Sequence, residues 1–232
     1  MAEIETLVHR LGEMDTCMVS DALDALGYPG AIAGIGPMWP CGRTAGRVLT
    51  VRLAPAATTP PTGQPPVHLG AHAIASSQPG DVIVVDNRAG FETGGAGWGG
   101  LLSLAAKIRE VAGVVVIGVC RDVDDVAAVG MPYYANVATP RTARRRVVEV
   151  ATNEPLDVDD VHIEMGDLVL ADSSGVVFVA IDRAEEVLAK ADELVAREAE
   201  MSAALRVGTN VTDVLAGNYE TMLDDASKTK GQ

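Results

Sequence analysis

Residues 94–125 read GGAGWGGLLSLAAKIREVAGVVVIGVCRDVDD, and they bring several kinds of chemistry close together. A glycine-dense loop opens an amphipathic helix, and a branched apolar strand follows that delivers Arg121 and Asp122 side by side. The first amides of a helix lack an intrahelical partner and carry partial positive charge, so an anion binds well there. Gly97, Gly99 and Gly100 allow a ligand close to the backbone. A cation and a carboxylate at a strand end add the means to hold a small anion and a divalent metal together. The run DVDD, which includes Asp124 and Asp125, is dense in negative charge. Mg²⁺ typically takes only one or two protein carboxylates and leaves the rest to water or substrate oxygens.

Each of these features has a plainer reading. The glycine loop satisfies a tight turn that binds nothing, and Arg121 with Asp122 satisfies a surface ion pair or a loop cap; spacing alone leaves both open. Gly95, Gly97 and Gly100 also match G-x-G-x-x-G, with Asp122 roughly 20 residues further on, as a dinucleotide fingerprint asks. That fingerprint sits in the first strand-to-helix turn, whereas residues 87–94 here separate the strand VIVVD from the first glycine. A nicotinamide-dependent oxidoreductase is therefore only a third reading. His68 and His72 have the i, i+4 spacing of metal ligands on a helix, yet no third ligand lies near, which favours a structural role. Cys120 ends a buried strand and is expected to be inert. Arg141, Arg144, Arg145 and Arg146 form the only basic cluster. Arg141 or Arg144 is a candidate for a substrate carboxylate, with a solvated or subunit-contacting turn as the simpler alternative. Asp21 is a candidate for the pocket's edge or a helix surface.

The elements that must position these residues follow from periodicity. Helices are expected over 3–27, broken near Asp15, a cap, and ending at Gly27. Residues 28–43 are rich in Gly and Pro, strands fill a core over 44–181, and 54–66 reads as a proline-rich loop. Residues 67–77 look helical, and strands are expected near 47–53, 82–86, 133–137, 147–151, 161–163, 168–171 and 176–181. GDVIVVDNRAG and GDLVLADSSG echo one another as turn, buried strand, aspartate and turn. A long amphipathic helix covers 183–206, and a tail at 224–232 is expected to fray. No long linker interrupts residues 1–232, so one domain is the simplest count.

Composition sets outer limits. Apolar residues make up 48% and aromatics only 3%, so Val, Ala, Leu and Ile must fill the core. A net charge of −14 repels phosphate backbones, which argues against nucleic acid as a partner. Three widely spaced cysteines, no signal-peptide pattern and no membrane-length apolar run point to a cytoplasmic protein without a membrane partner.

Taken together, SDALDALG, PGDVIVVD, GWGGLLSLAAK, GVCRDVDD, TPRTAR and GDLVLADSSGVVFV resemble the family of 4-hydroxy-4-methyl-2-oxoglutarate aldolases. The same RraA-like fold includes regulators of ribonuclease E activity, and the resemblance runs through residues 10–206. It implies an α/β/α swivelling fold like that of phosphohistidine domains, with a central mixed β core. It further implies homotrimers or homohexamers with sites between subunits. By the same resemblance, amides of Gly99, Gly100, Leu101 and Leu102 hold the carboxylate of a small 2-oxo acid, and Arg121 meets its keto oxygen. Asp122 matches the ligand of Mg²⁺ or Mn²⁺, and Glu198 matches a glutamate lent by a neighbouring subunit to the metal's water shell. Such a metal stabilises the enolate left when a C–C bond breaks, in retro-aldol cleavage or in oxaloacetate decarboxylation. One departure is visible. Several aldolases carry an acidic residue where this chain has Gly100, which points to a different or smaller substrate, or to decarboxylation alone. A non-catalytic protein-interaction regulator is the second reading.

Overall fold

The computed structural model describes residues 2–57 and 68–215. Two helices open it, α1 (Ala2–Glu13) and α2 (Thr16–Leu26). The Asp15 side chain accepts from the Met18 amide at 2.9 Å to start α2, and Gly27 at φ 76° ends it. The short strands β1 (Ala31–Ile32) and β2 (Gly36–Pro37) precede the long β3 (Thr44–Pro55). Then come α3 (Ala71–Ser76), β4 (Asp81–Asn87), α4 (Ala89–Thr93), α5 (Gly100–Ile108), β5 (Gly113–Cys120) and α6 (Val123–Ala128). Five strands follow: β6 (Tyr133–Ala138), β7 (Val147–Thr152), β8 (Leu156–Val158), β9 (Val161–Ile163) and β10 (Leu168–Ala171). The described chain closes with β11 (Val176–Val179), α7 (Ala184–Arg206) and α8 (Val211–Val214).

The main sheet runs β1-β11-β10-β3-β4-β5-β6-β2, with β7 added to β3. Its centre, β3-β4-β5-β6, is parallel and its other pairings are antiparallel. This is the expected mixed core. The two echoed segments become β4 and β10, the two strands that flank β3. Because side chains alternate across a strand, one strand feeds two cores. Ile83 and Val85 of β4 pack with α3, α5 and α6, while Val82 and Val84 point into an inner cluster closed by the β8–β9 hairpin. On β10, Leu168 and Leu170 face α1, α2 and α7, while Val169 and Ala171 join the same inner cluster. Burial on both faces explains why these strands are unbroken apolar runs. Aliphatics dominate, as composition requires, yet Trp98, Tyr133 and Tyr134 are among the largest fully buried side chains.

Some expectations need correcting. The helix expected over 67–77 spans only Ala71–Ser76 behind the left-handed Gly70, so His68 and His72 share no helix face. The last strand stops at Val179 and a 3-10 turn (Ile181–Arg183) leads into α7. Ala54 and Pro55 finish β3 rather than beginning a loop, and α4 and α6 were not foreseen. Most of the proline-rich stretch, and the tail at 224–232, lie outside the described residues. Among the described residues no helix is long and apolar enough to cross a membrane.

One buried carboxylate ties the halves of the chain together. Asp172, just past β10, accepts from the Thr16 amide (3.0 Å) and hydroxyl (2.7 Å) and from the Ser174 amide (2.8 Å). Burial alone pushes this carboxyl up, but those hydrogen bonds outweigh it and leave the group below its ordinary range. Its stabilisation is therefore complete above the unfolded value of about 3.9 and disappears as pH falls through the lower folded value. Asp172→Asn should cost about 1–2 kcal/mol at pH 7. In urea unfolding, the gap between variant and wild type should close below pH 4.

Candidate active site

The glycine loop is stitched to the end of β5 by several hydrogen bonds. The Asn87 Nδ2 amide donates to Gly95 O (2.9 Å) and Val119 O (2.7 Å), and the Gly97 amide donates to Val119 O (2.8 Å). The Arg121 amide donates to Trp98 O at 3.1 Å. From below, the Tyr133 hydroxyl donates to Trp98 O (3.0 Å) and lies 3.4 Å from Arg121 O. The Trp98 indole is fixed in turn by Ser103 Oγ at 2.9 Å. Gly99 is extended, so its role is close approach rather than unusual φ: a Cβ there would stand 2.5 Å from Asp122 Oδ2.

Asp122 departs from ordinary backbone, with φ 57° and ψ 39°. This left-handed conformation, uncommon outside glycine, turns β5 sharply into α6. It also sends the carboxylate away from its own helix. Asp122 Oδ2 accepts from the Gly100 amide (3.1 Å) and from Arg121 Nε (2.9 Å). Its Oδ1 has no hydrogen-bond partner among the described residues. The first intrahelical bond of α5 runs from Ser103 to Gly99 O at 3.0 Å, so the Leu101 and Leu102 amides have no helical acceptor. The Gly100 amide, expected to meet substrate, is thus engaged by Asp122 in this structure. A Cβ at Gly100 would lie 2.9 Å from Asp125 Cβ, so Asp125 closes the space that a side chain there would need.

These groups line a cleft of about 420 Å³. Its lining comprises His68, Leu69, Ala96, Gly97, Trp98, Gly99, Leu101, Leu102, Arg121, Asp122, Thr142, Ala143 and Arg144. Gly99, Leu101, Leu102, Arg121 and Asp122 are therefore together, with Gly100 alongside. Glu198 is not; it is exposed on α7, near enough to Asp21 to help burial, Asp24 and Asp15 raise that carboxyl's pKa. Neither Asp21 nor Glu198 lines the cleft of its own chain. His68 lines the cleft and His72 does not. Cys120 is inert for a stated reason: burial pushes its thiol up to about 11.

Sequence reasoning missed Asn87, Trp98, Tyr133 and Ser103 as the frame of the site. The scarcity of aromatics was a usable signal, since a protein with two tryptophans buries Trp98 almost completely beside the cleft.

Whether a metal fits can be judged from the donors. Among the described residues no three His, Cys, Asp or Glu side chains gather as a ligand set, so a zinc-type cage does not fit. A hard divalent cation needing one protein carboxylate does fit the free Oδ1 of Asp122.

Fold and site together define a class, and the family model described as RraA-like (Aldolase/RraA) matches residues 16–178. The chain belongs to this family. It is 27% identical to Protein DlpA of Legionella pneumophila over 91% of this chain and 34% of that protein. It is 36% identical to a protein of Albidiferax ferrireducens named "Putative 4-hydroxy-4-methyl-2-oxoglutarate aldolase", over 44% of this chain and 57% of that one. The chain thus spans less than two thirds of the length of either relative. Among solved structures, Streptomyces coelicolor RraAS2, described as an unusual member of the RNase ES inhibitor RraA protein family, superposes with a TM-score of 0.73. That match has 26% identity and covers 85% of this chain and 96% of that one. The expected α/β/α RraA-like fold is the one observed.

The frame around Trp98 makes a testable claim. Tyr133→Phe removes a buried hydrogen bond and should cost about 1 kcal/mol. Amide exchange should quicken in residues 95–103 and at Arg121 while α7 is unaffected; a uniform change across the protein would deny the hydroxyl its local role.

Proposed function

We propose that this chain is a divalent-metal-dependent carbon–carbon lyase that cleaves or decarboxylates a 2-oxo dicarboxylic acid through a pyruvate enolate. The observation that carries it is the meeting, in one cleft, of the Arg121–Asp122 pair with the Leu101 and Leu102 amides, which have no acceptor among the described residues. The relative named as an aldolase lends support to the same reading.

In this reading the helix-end amides of Leu101 and Leu102 take the substrate's 1-carboxylate, an anion suited to the positive end of α5. The Arg121 Nη groups have no hydrogen-bond partner among the described residues and are available to the keto oxygen. Asp122 offers Oδ1 to Mg²⁺ or Mn²⁺ while its Oδ2 remains held by Gly100 and Arg121. The metal, when bound, supplies Lewis-acid stabilisation of negative charge on the keto acid. The bond between C3 and C4 breaks and its electron pair forms the enolate. In the aldol case C4 leaves as a carbonyl compound as its hydroxyl gives up a proton to solvent; in the decarboxylation case it leaves as CO2. C3 then takes a proton from water to give pyruvate. Arg121 keeps a fixed positive charge where that enolate oxygen develops. Gly99 and Gly100 keep the backbone low enough for both side chains to reach.

The assay is release of pyruvate from a panel of 2-oxo and 4-hydroxy-2-oxo acids, with Mg²⁺ and after chelation. Chelation should abolish turnover, and Asp122→Asn should lower it by about 100-fold or more without unfolding the protein. Equal turnover by the variant would defeat the assignment. Release of no pyruvate from any acid would favour a protein-interaction regulator, the reading that the likeness to RraAS2 supports.

Assembly belongs to the same proposal. Leu101, Leu104 and Ile108 form an exposed apolar stripe along α5 at the cleft's edge. Glu198 can serve the cleft only from another copy. We therefore propose a homotrimer or homohexamer in which this stripe is covered by a second copy. Ile108→Glu should shift the sedimentation profile to smaller species; an unchanged profile would remove the stripe from the interface.

A further inference from the structure

We propose that Arg144 binds the second carboxylate of the substrate and so makes the cleft selective for 2-oxo dicarboxylic over 2-oxo monocarboxylic acids. This rests on the lyase reading for the reaction, though not for the binding.

Four arginines crowd residues 141–146, and the structure separates their roles. Arg141 lies across Gly94, where a Cβ would stand 2.7 Å from its Nη1. The Arg146 side chain covers Gly95 in the same way, and its Nη1 donates to Thr142 O at 3.3 Å. Both brace the glycine loop from outside. Arg145 does not line the cleft and has a left-handed backbone at φ 62°. Arg144 alone of the four lines the cleft. Its backbone amide bonds to Thr142 Oγ1 at 3.3 Å, while its guanidinium has no ion pair or hydrogen bond among the described residues.

Charge makes that lone guanidinium informative. Arg121 is already paired through Nε with Asp122 at 2.9 Å, and the lyase reading commits its Nη groups to the keto oxygen. Among the described residues nothing compensates the charge of Arg144 on the wall of the cleft, in a chain of net charge −14. A dianion approaching such a chain is repelled overall, and a bare arginine at the cleft is a local counterweight. The guanidinium fork also matches a carboxylate with two parallel hydrogen bonds, which a lysine cannot reproduce.

Backbone hydrogen bonds join the segment leading to Arg144 to the neighbourhood of Arg121. The Thr139 amide donates to Cys120 O at 2.8 Å, and the Ala96 amide to Arg141 O at 3.4 Å. The turn carrying Arg144 is thereby tied to the strand end that delivers Arg121. A cleft of about 420 Å³ extends beyond the helix end toward that turn and leaves room for a substrate longer than pyruvate.

The test compares Arg144→Gln and Arg144→Lys with wild type, all with Mg²⁺. Calorimetry measures binding of oxalate, of 2-oxopentanoate and of 2-oxoglutarate, the last two matched in chain length. Arg144→Gln should weaken 2-oxoglutarate by about 10- to 100-fold and leave oxalate and 2-oxopentanoate unchanged. Arg144→Lys should recover only part of the loss. Equal weakening of all three ligands, no weakening of 2-oxoglutarate, or a wild type that does not prefer it to 2-oxopentanoate would each overturn the proposal. Preferential binding that depends on Arg144 in a protein that releases no pyruvate would sustain the subsite and remove the lyase reading instead.

Discussion

The carboxylate of Asp122 sits where three elements meet, and the cleft takes its shape from what that carboxylate holds. It stands at the end of β5, begins α6, and accepts a hydrogen bond from the first residue of α5. A carboxylate at a helix start is favourable through both the unpaired amide and the dipole. Here that stabilisation goes to a neighbouring helix, which is possible only because the residue adopts a left-handed backbone. Residues held in such conformations cluster at functional sites, where the surrounding structure fixes them. Several bonds do that fixing, from the Arg121 guanidinium, from the Gly100 amide and from the Trp98 carbonyl that anchors Arg121. An aspartate that merely ended a strand would need none of them.

Beneath this pair lie two of the four aromatic side chains buried among the described residues. Trp98 and Tyr133 are almost wholly enclosed and belong to the cluster that α3, α5 and α6 share with the sheet. Large rigid rings with a single polar tip suit such a place, since each fills volume and places one hydrogen bond. The Tyr133 hydroxyl reaches the carbonyl of Trp98 and lies near that of Arg121, so the ring that supports the loop also supports the strand end. Burial raises the Tyr133 pKa well above its usual value, so it remains a neutral donor across the ordinary pH range.

The strands and long helices were legible because each is a pattern of one residue type at one period. Val82 to Val85 and Val114 to Ile117 announce buried strands without any partner in view. The adjacency of Arg121 and Asp122 was likewise plain. What the sequence hid was of two kinds. Short elements such as α4 and α6 have too few residues for a period to show, and α3 could not be separated from the residues before Gly70. Contacts between distant segments were also hidden: nothing near Tyr133 in the chain says that it touches Trp98, and four neighbouring arginines look alike until the fold sorts them. The aspartate in GDLVLADSSG could be read as a turn former, while its hold on Thr16 is a property of the folded chain.

Charge distribution connects the surface to the cleft. Carboxylates outnumber cations across the chain, and α7 presents many of them to solvent, Glu198 included. Arg121, Arg141, Arg144 and Arg146 instead gather around residues 94–100. Two of these arginines pack over glycines, one pairs with Asp122, and one lines the cleft with no side-chain partner among the described residues. An acidic exterior around a basic recess discourages polyanions that bind along a surface while still admitting a small anion able to enter. The same contrast suits association between copies, because the acidic helix of one copy is electrostatically compatible with the arginine-rich rim of the next. Within one chain Glu198 belongs to the layer of α1, α2 and α7, across the sheet from α5 and α6. A glutamate so placed stands apart from the cleft of its own chain, so under the proposed reading its part in the chemistry would have to come from another copy.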